Sequence, residues 1–345
     1  MRPPERGLLA MALRVTEPLY RGAVALRNRR FDGGRGIHRS PLPTISVGNL
    51  TAGGTGKTPL VLWLANELQS SGARPAILSR GYGGRVGAGP RLLDRQDPGG
   101  ASRYGDEPWL MARRLHEIDI VVGSDRVAAA KIAHSQGANL LLLDDGFQHR
   151  RLDRDLDIVL LDSASPFDNG HLLPAGLLRE PPESLARAGV VIFSRHVASR
   201  EPTPARERAR ALSPNAAHFT MSNRRVGWFD VDGVQQASPP RRFGFCGLGN
   251  PQPFREDLLT DDAELTGFRV FRDHHRYMND EFKQILQAAV ANDATPVTTE
   301  KDLMRMASAP PELLTALRIL RIDVTLDAPE QLLERVLQAT KTHAN

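Results

Sequence analysis

Between residues 43 and 194 one pattern repeats: a short apolar run, a glycine-rich or aspartate-bearing turn, then a helical stretch. The runs fall at 44–47, 76–79, 118–122, 140–143, 158–161 and 190–193, with amphipathic stretches at 60–68, 109–115 and 127–133. Short, largely apolar runs alternating with amphipathic helices predict a mostly parallel sheet covered by helices on both faces. Ligands bind such sheets beyond the carboxyl ends of the strands. The chemistry is therefore to be sought just after each run.

The 345 residues, 41% hydrophobic and 25% charged, suffice for one large or two ordinary globular domains. From 199 to 242 prolines 202, 204, 214, 239 and 240 interrupt a polar, arginine-rich stretch, with a hairpin signal at Asp232-Gly233. Candidate strands at 243–247, 268–271, 295–298 and 317–322, with helices near 280–290 and 329–340, then predict a second, smaller α/β unit. The expected organisation is a helical segment at 1–35, a first α/β domain at 36–215, a linker at 216–242 and the smaller unit at 243–345.

In the first segment Leu8, Ala12, Val15 and Leu19 recur at helical spacing, with Leu9, Leu13 and Tyr20 alongside. Arg6, Arg14, Arg21, Arg27, Arg29 and Arg30 are interleaved, and Pro18 predicts a bend. Such a basic amphipathic helix packs on the body of the protein or lies on an anionic membrane surface, and periodicity alone does not separate the two. The apolar run 8–13 is ended by Arg14, and no stretch reaches the roughly 20 apolar residues of a bilayer span. The single cysteine, Cys246, excludes an internal disulfide framework and a cysteine-rich zinc site, which points to a reducing compartment. The net charge of +5 leaves nucleic acid, anionic lipid and phosphorylated small molecules open. No aromatic-interleaved basic stripe or DNA-reading module supports nucleic acid.

The first run ends in Gly48-Asn49-Leu50-Thr51-Ala52-Gly53-Gly54-Thr55-Gly56-Lys57-Thr58-Pro59. A P-loop has glycine, four residues, then Gly-Lys-Ser/Thr; here Thr51 stands at the first glycine. Gly53, Gly54 and Gly56 let backbone N–H groups of the Thr51–Thr58 stretch turn toward a phosphate, and the helix beginning near Lys57 adds its unpaired N–H groups. Lys57 then reaches the β- and γ-phosphates of a bound nucleotide and the Thr58 hydroxyl reaches Mg2+. The run at 140–143 ends in Asp144-Asp145, the form of a strand that places a carboxylate on Mg2+ opposite the loop. These features predict a P-loop NTPase-like domain binding ATP and Mg2+.

Asp144-Asp145-Gly146-Phe147-Gln148-His149 narrows that class. Taken with the 48–59 loop, Ser79-Arg80-Gly81-Tyr82-Gly83, Gly105-Asp106-Glu107-Pro108 and Thr298-Thr299-Glu300-Lys301-Asp302, it closely resembles the tetraacyldisaccharide 4'-kinase family of lipid A synthesis. Thr51 is usual in that family. The resemblance implies transfer of the ATP γ-phosphate to the 4'-hydroxyl of an acylated disaccharide 1-phosphate lipid, at the cytoplasmic face of the bacterial inner membrane. It implies two α/β domains joined by a β-ribbon linker around the active site, and favours the membrane role of the N-terminal helix.

An aspartate at position 106 would otherwise be read as a helix N-cap. The resemblance instead makes Asp106 the group that orients and deprotonates the sugar hydroxyl, with His274 assisting and His275 the weaker candidate. It places Glu180 near the metal with Asp144, Asp145 and Thr58, and Arg80, Tyr82, Gln148, His149 and Arg179 toward phosphate or substrate. Lys301 and Asp302 fall near the cleft without a defined role. Two other P-loop classes fit less well. A GTPase switch would carry an Asn-Lys-x-Asp base-reading motif, which is absent, and a partition-type ATPase would carry lysine where Ala52 stands.

Overall fold

The computed structural model describes residues 8–195 and 203–344. Residues 1–7, with Arg6 of the basic segment, lie outside the described residues. The chain runs through α1 (Leu8–Asp32), β1 (Thr44–Asn49), α2 (Lys57–Ser70), β2 (Pro75–Ser79), β3 (Arg91–Leu92), α3 (Gly100–Tyr104), α4 (Asp106–Arg114), β4 (Asp119–Val122) and α5 (Arg126–Ser135). It continues through β5 (Leu140–Asp144), β6 (Leu156–Asp162), β7 (Val190–Ser194), α6 (Pro204–Leu212) and β8 (Ala217–Phe229). The remainder comprises β9 (Gln235–Gln236), β10 (Arg241–Cys246), α7 (Gln252–Leu258), β11 (Glu264–Val270), α8 (Asn279–Ala291), β12 (Thr295–Thr299), α9 (Glu300–Leu303), α10 (Pro311–Ala316), β13 (Arg318–Leu326) and α11 (Pro329–Lys341).

In the first half β7, β6, β1, β5, β2 and β4 pair in parallel in that order, with β3 antiparallel at the edge. Every residue of β1, β2, β5 and β7 is buried, as strands covered on both faces must be. Leu60, Leu64 and Leu68 of α2 pack on one face with Ile45, Val47 and Leu142, while Ala129, Ala130 and Ala133 of α5 cover the other. In the second half β11, β10, β12 and β13 are likewise parallel, around a core of Phe243, Phe245, Phe282 and Ile285.

One strand joins the two halves. The first residues of β8 pair in parallel with β7, and the rest pair antiparallel with β13, from Met221↔Leu326 to Phe229↔Ile319. Because β13 runs back along β8, it delivers the chain to the first half again. There Leu332 and Val336 of α11 enter the same core as α2. The last helix therefore does not belong with the smaller unit, where its position after 243 had placed it: its apolar i, i+4 pair finds its partners across the molecule. The Asp232-Gly233 hairpin is present, with β9 folded on the end of β8. Helix α1 runs uninterrupted through Pro18. Among the described residues no helix is long and apolar enough to cross a membrane.

Candidate active site

The segments after β1, β2, β5 and β7 converge at the carboxyl edge of the first sheet. The loop after β1 turns through Gly53 (φ +119°) and Gly56 (φ +85°), a left-handed region closed to most side chains. Lys57 then opens α2 directly, so its unpaired amides face the loop. Asn49, buried at the end of β1, donates to the Gly53 carbonyl at 3.3 Å and the Thr55 hydroxyl at 3.1 Å. Arg195, following β7, bonds the Gly54 carbonyl and Asp162.

Asp144 and Asp145 have opposite surroundings. Asp145 adopts φ +53° and turns its carboxylate to Lys57 at 3.4 Å and Arg179 at 2.8 Å. Burial would raise this carboxyl, but those two cations outweigh it and hold it below the ordinary range. Asp144 is buried, accepts a hydrogen bond from Ser79 at 2.9 Å through Oδ2, and leaves Oδ1 without a partner. Burial, then the charges of Glu107 and Asp145, push its carboxyl up to about 6. An orphaned buried carboxylate oxygen beside a phosphate loop suits a divalent cation that takes its other ligands from phosphate, hydroxyl and water. Among the described residues no group of three or more His, Cys, Asp or Glu could hold a metal ion by itself.

The second half supplies the other wall. Asp106 is the first residue of α4 but caps nothing; Gly105 holds the N-cap position. Gly105 adopts φ +93°, and a Cβ there would lie 2.7 Å from the Tyr82 carbonyl, so only glycine lets the two loops touch. The Asp106 carboxylate thus points away from its helix to Nδ1 of His274 at 3.3 Å and Nε of Arg305 at 2.5 Å. His274 is held at φ +58°, a conformation uncommon outside glycine and one that recurs at functional sites. One residue on, Glu107 pairs with Lys301 at 3.0 Å. Tyr82 sets its ring 5.7 Å from that of His274, and a cavity of about 340 Å3 lined by Arg80, Tyr82, Val86 and Ser124 opens alongside.

A P-loop beside an Asp–His pair that joins the two halves suits a kinase for an alcohol, and comparison with known proteins identifies the family. The profile of the tetraacyldisaccharide-1-P 4'-kinase family matches residues 9–341. The chain belongs to this family. It is accordingly an ATP-dependent kinase of lipid A biosynthesis. Tetraacyldisaccharide 4'-kinase of Anaeromyxobacter sp. (strain Fw109-5) is 41% identical, with 97% of this chain and 93% of that protein covered. The enzyme of the same name from Syntrophus aciditrophicus is 40% identical over 88% and 86% of the two chains. LpxK from Aquifex aeolicus, solved in complex with ATP, superposes with a TM-score of 0.76 at 29% identity, covering 96% of this chain and all of that one.

The tetraacyldisaccharide 4'-kinase motifs do not all meet at one point. Lys57, Asp145 and Arg179 are brought together, and Gln148 bridges them to the loop by donating to the Asn49 carbonyl at 3.0 Å. Glu180, expected at the metal, is directed elsewhere. Its fully buried carboxylate takes Arg27 at 2.7 Å and Asn28 at 3.1 Å from α1, and Arg187 at 2.7 Å. The chain bends at Arg179 and Glu180, which turns Arg179 to Asp145 and its neighbour onto α1. His149 makes no contact with the phosphate loop either. Burial and the charges of Arg126, Arg154 and Arg151 drive its imidazole down to about 4, so it is a neutral ring among arginines. Asn49, to which the 48–59 motif gave no role, and Arg195 and Arg305, which lie in none of the motifs, are further residues here.

Proposed function

We propose that the chain transfers the γ-phosphate of ATP to the 4'-hydroxyl of a tetraacylated glucosamine disaccharide 1-phosphate, at the cytoplasmic face of the inner membrane. The observation that carries the reading is the meeting of Asp106 and His274 from different halves at 3.3 Å, beside the Lys57–Asp145 pair. The charges of Lys57 and His274 both act on Glu107, next to Asp106, so the phosphate loop and the Asp–His pair share one cleft.

In this reading the loop amides and Lys57 grip the triphosphate, and Lys57 with Arg179 faces the charge that develops on the transferring phosphoryl group. Asp106 accepts the proton of the acceptor hydroxyl as that oxygen bonds to the γ-phosphorus, and the bridging oxygen leaves with ADP. His274 fixes the orientation of the carboxylate. Thr58 and Asp144 would hold Mg2+, which neutralises phosphate charge when bound. Arg80 and Tyr82, lining the adjacent cavity, suit the sugar and its 1-phosphate.

Helix α1 supports work at a membrane. One face docks through Glu17, Tyr20, Val24 and Asn28, while Val15, Leu19 and Leu26 on the other are 76%, 77% and 72% exposed, with Arg14 and Arg29 also exposed. Leucines for acyl chains beside arginines for anionic headgroups are what an interfacial helix requires.

The test is to incubate the protein with radiolabelled ATP, Mg2+ and the acylated disaccharide in detergent micelles. Label should pass to lipid, and Lys57→Ala and Asp106→Ala should each lower transfer by about 100-fold or more. Hydrolysis that ignores the lipid would instead identify a nucleotide switch.

A further inference from the structure

Arg305 follows α9 in the second half, and its guanidinium side chain is 2% exposed. A buried arginine needs partners for five N–H donors, and its planar fork fixes where they stand. On one side Nη1 donates to the Gly247 carbonyl at 2.9 Å and faces Asp302 at 3.4 Å, both in its own half. On the other, Nε donates to Oδ2 of Asp106 at 2.5 Å and Nη2 lies 3.3 Å from Nδ1 of His274. Asp302 is itself fixed by the Gly247 amide at 2.8 Å, the Tyr277 hydroxyl at 2.9 Å and the Thr299 hydroxyl at 2.6 Å. The arginine therefore reaches across the cleft from a rigid mount.

Two consequences follow from donor chemistry. Arginine only donates, so Nδ1 of His274 either accepts from Arg305 or donates to Asp106, and cannot do both with one proton count. His274 and Arg305 both meet the Asp106 carboxylate at Oδ2, which leaves Oδ1 for the acceptor hydroxyl.

We propose that Arg305 is a positioning residue of the transfer reaction: it holds the Asp106 carboxylate ionised and aimed into the cleft, and makes that alignment depend on the two halves being closed. The inference rests on the reading of Asp106 as the group that takes the hydroxyl proton. The charged groups around Asp106 are His274 with Asp273 at 4.0 Å from the 271–277 turn, Arg305 with Asp302 behind it, and the Glu107–Lys301 pair on its own helix. Burial alone would raise the Asp106 carboxyl; the His274 hydrogen bond and the Arg305 charge outweigh it and keep it below the usual carboxylate range. At working pH the carboxylate is thus ionised and ready to accept.

The experiment compares Arg305→Ala, Arg305→Lys and Asp106→Asn with the parent enzyme in the lipid transfer assay across pH, alongside ATP binding by fluorescent nucleotide titration. Arg305→Ala should lower kcat by about 10- to 100-fold and move the acid limb of the kcat profile to higher pH. ATP affinity should stay within about twofold, since Arg305 touches no residue of the phosphate loop. Arg305→Lys, which keeps the charge without the fork, should return the acid limb toward the parent and recover only part of kcat. If Arg305→Ala does not fold, Arg305→Gln takes its place, and should move the limb where lysine does not. An unmoved acid limb, or ATP affinity lost in step with kcat, overturns the proposal. Should Asp106→Asn abolish transfer while the arginine variants keep the parent limb, only the role of Arg305 falls. Should Asp106→Asn transfer at the parent rate, the reading of Asp106 falls and this inference with it.

Discussion

Asn49 shows how much a glycine-rich loop rests on one buried side chain. Its buried side-chain amide donates to the Gly53 carbonyl and the Thr55 hydroxyl, and its main-chain carbonyl accepts from Gln148. The loop it braces contains three glycines, each of which loses more backbone freedom on ordering than any other residue. Asn49→Ala removes the donor to the Gly53 carbonyl and leaves the buried Thr55 hydroxyl without this partner, a cost of about 1–3 kcal/mol. That cost lowers nucleotide affinity where the loop orders on binding. The expected result is roughly tenfold weaker ATP binding by titration, with kcat at saturating ATP retained, since a factor of ten is about 1.4 kcal/mol. Unchanged affinity with a lost kcat would contradict this account. Asn49 lies inside the 48–59 motif, but neither its bracing role nor Arg305 could be singled out beforehand. An asparagine at a strand end reads as an ordinary turn residue, and one arginine among 45 basic residues carries no periodicity to set it apart. Their roles come from contacts between segments distant in the chain. Lys57 and Asp145, by contrast, sit inside motifs whose spacing already states their chemistry.

At the scale of elements, α1 and the segment ending at Arg179 behave as one piece. The Tyr20 hydroxyl donates to the Arg179 carbonyl at 3.1 Å, Glu17 pairs with His171 at 2.8 Å, and Glu180 is clasped by Arg27, Asn28 and Arg187. The helix that carries the exposed apolar stripe is thus bolted to the loop that aims Arg179 at the phosphate site. Glu180→Gln removes the buried charge and leaves two arginines facing a neutral amide. Breaking a fully buried pair costs about 3–5 kcal/mol, and because Arg27 is partly exposed about 1–3 kcal/mol is expected, measured by denaturant unfolding. Burial would raise the Glu180 carboxyl, but Arg187 and Arg27 hold it below the ordinary range. Its contribution is therefore full above the unfolded carboxylate range and is lost as pH falls through the folded value. The gap between parent and variant should be widest at neutral pH and narrow in acid; a gap that widens in acid would refute the pairing. Most strands of the first sheet were legible because each carries a short, largely apolar run between turn residues. The 13-residue β8 was not, because His218, Thr220, Ser222, Asn223 and Arg224 interrupt any apolar run. A ribbon between two halves has few layers to bury it, and its pairing with β13 depends on residues a hundred positions later.

In the whole molecule, α4 is the seam. Its first residue meets His274 and Arg305, its second meets Lys301, and its last, Arg114, reaches Glu300 at 3.0 Å and Asp323. One helix of the first half thus meets the second at both of its ends through charge pairs, in addition to the apolar core that β13 and α11 share with α2. Interfaces of this kind allow domains to move, and closing motions often gate kinases. Arg114 lies at the end of α4 opposite Asp106, so its removal tests closure without touching the Asp–His pair. Arg114→Ala should lower kcat/KM for the lipid acceptor by about tenfold while ATP binding stays within about twofold. Its stability penalty should also depend on pH in a definite direction. Burial raises the Glu300 carboxyl above the ordinary value even with Arg114 and Arg321 opposing it. Without Arg114 it rises further, so the folded variant binds a proton that the unfolded chain releases. The destabilisation is then full above that raised value and shrinks as pH falls toward the ordinary carboxylate range. Thermal unfolding at pH 8 should separate parent and variant more widely than at pH 5. Equal separation at both, or ATP affinity falling together with lipid turnover, would mean that Arg114 supports the first half itself and not its union with the second.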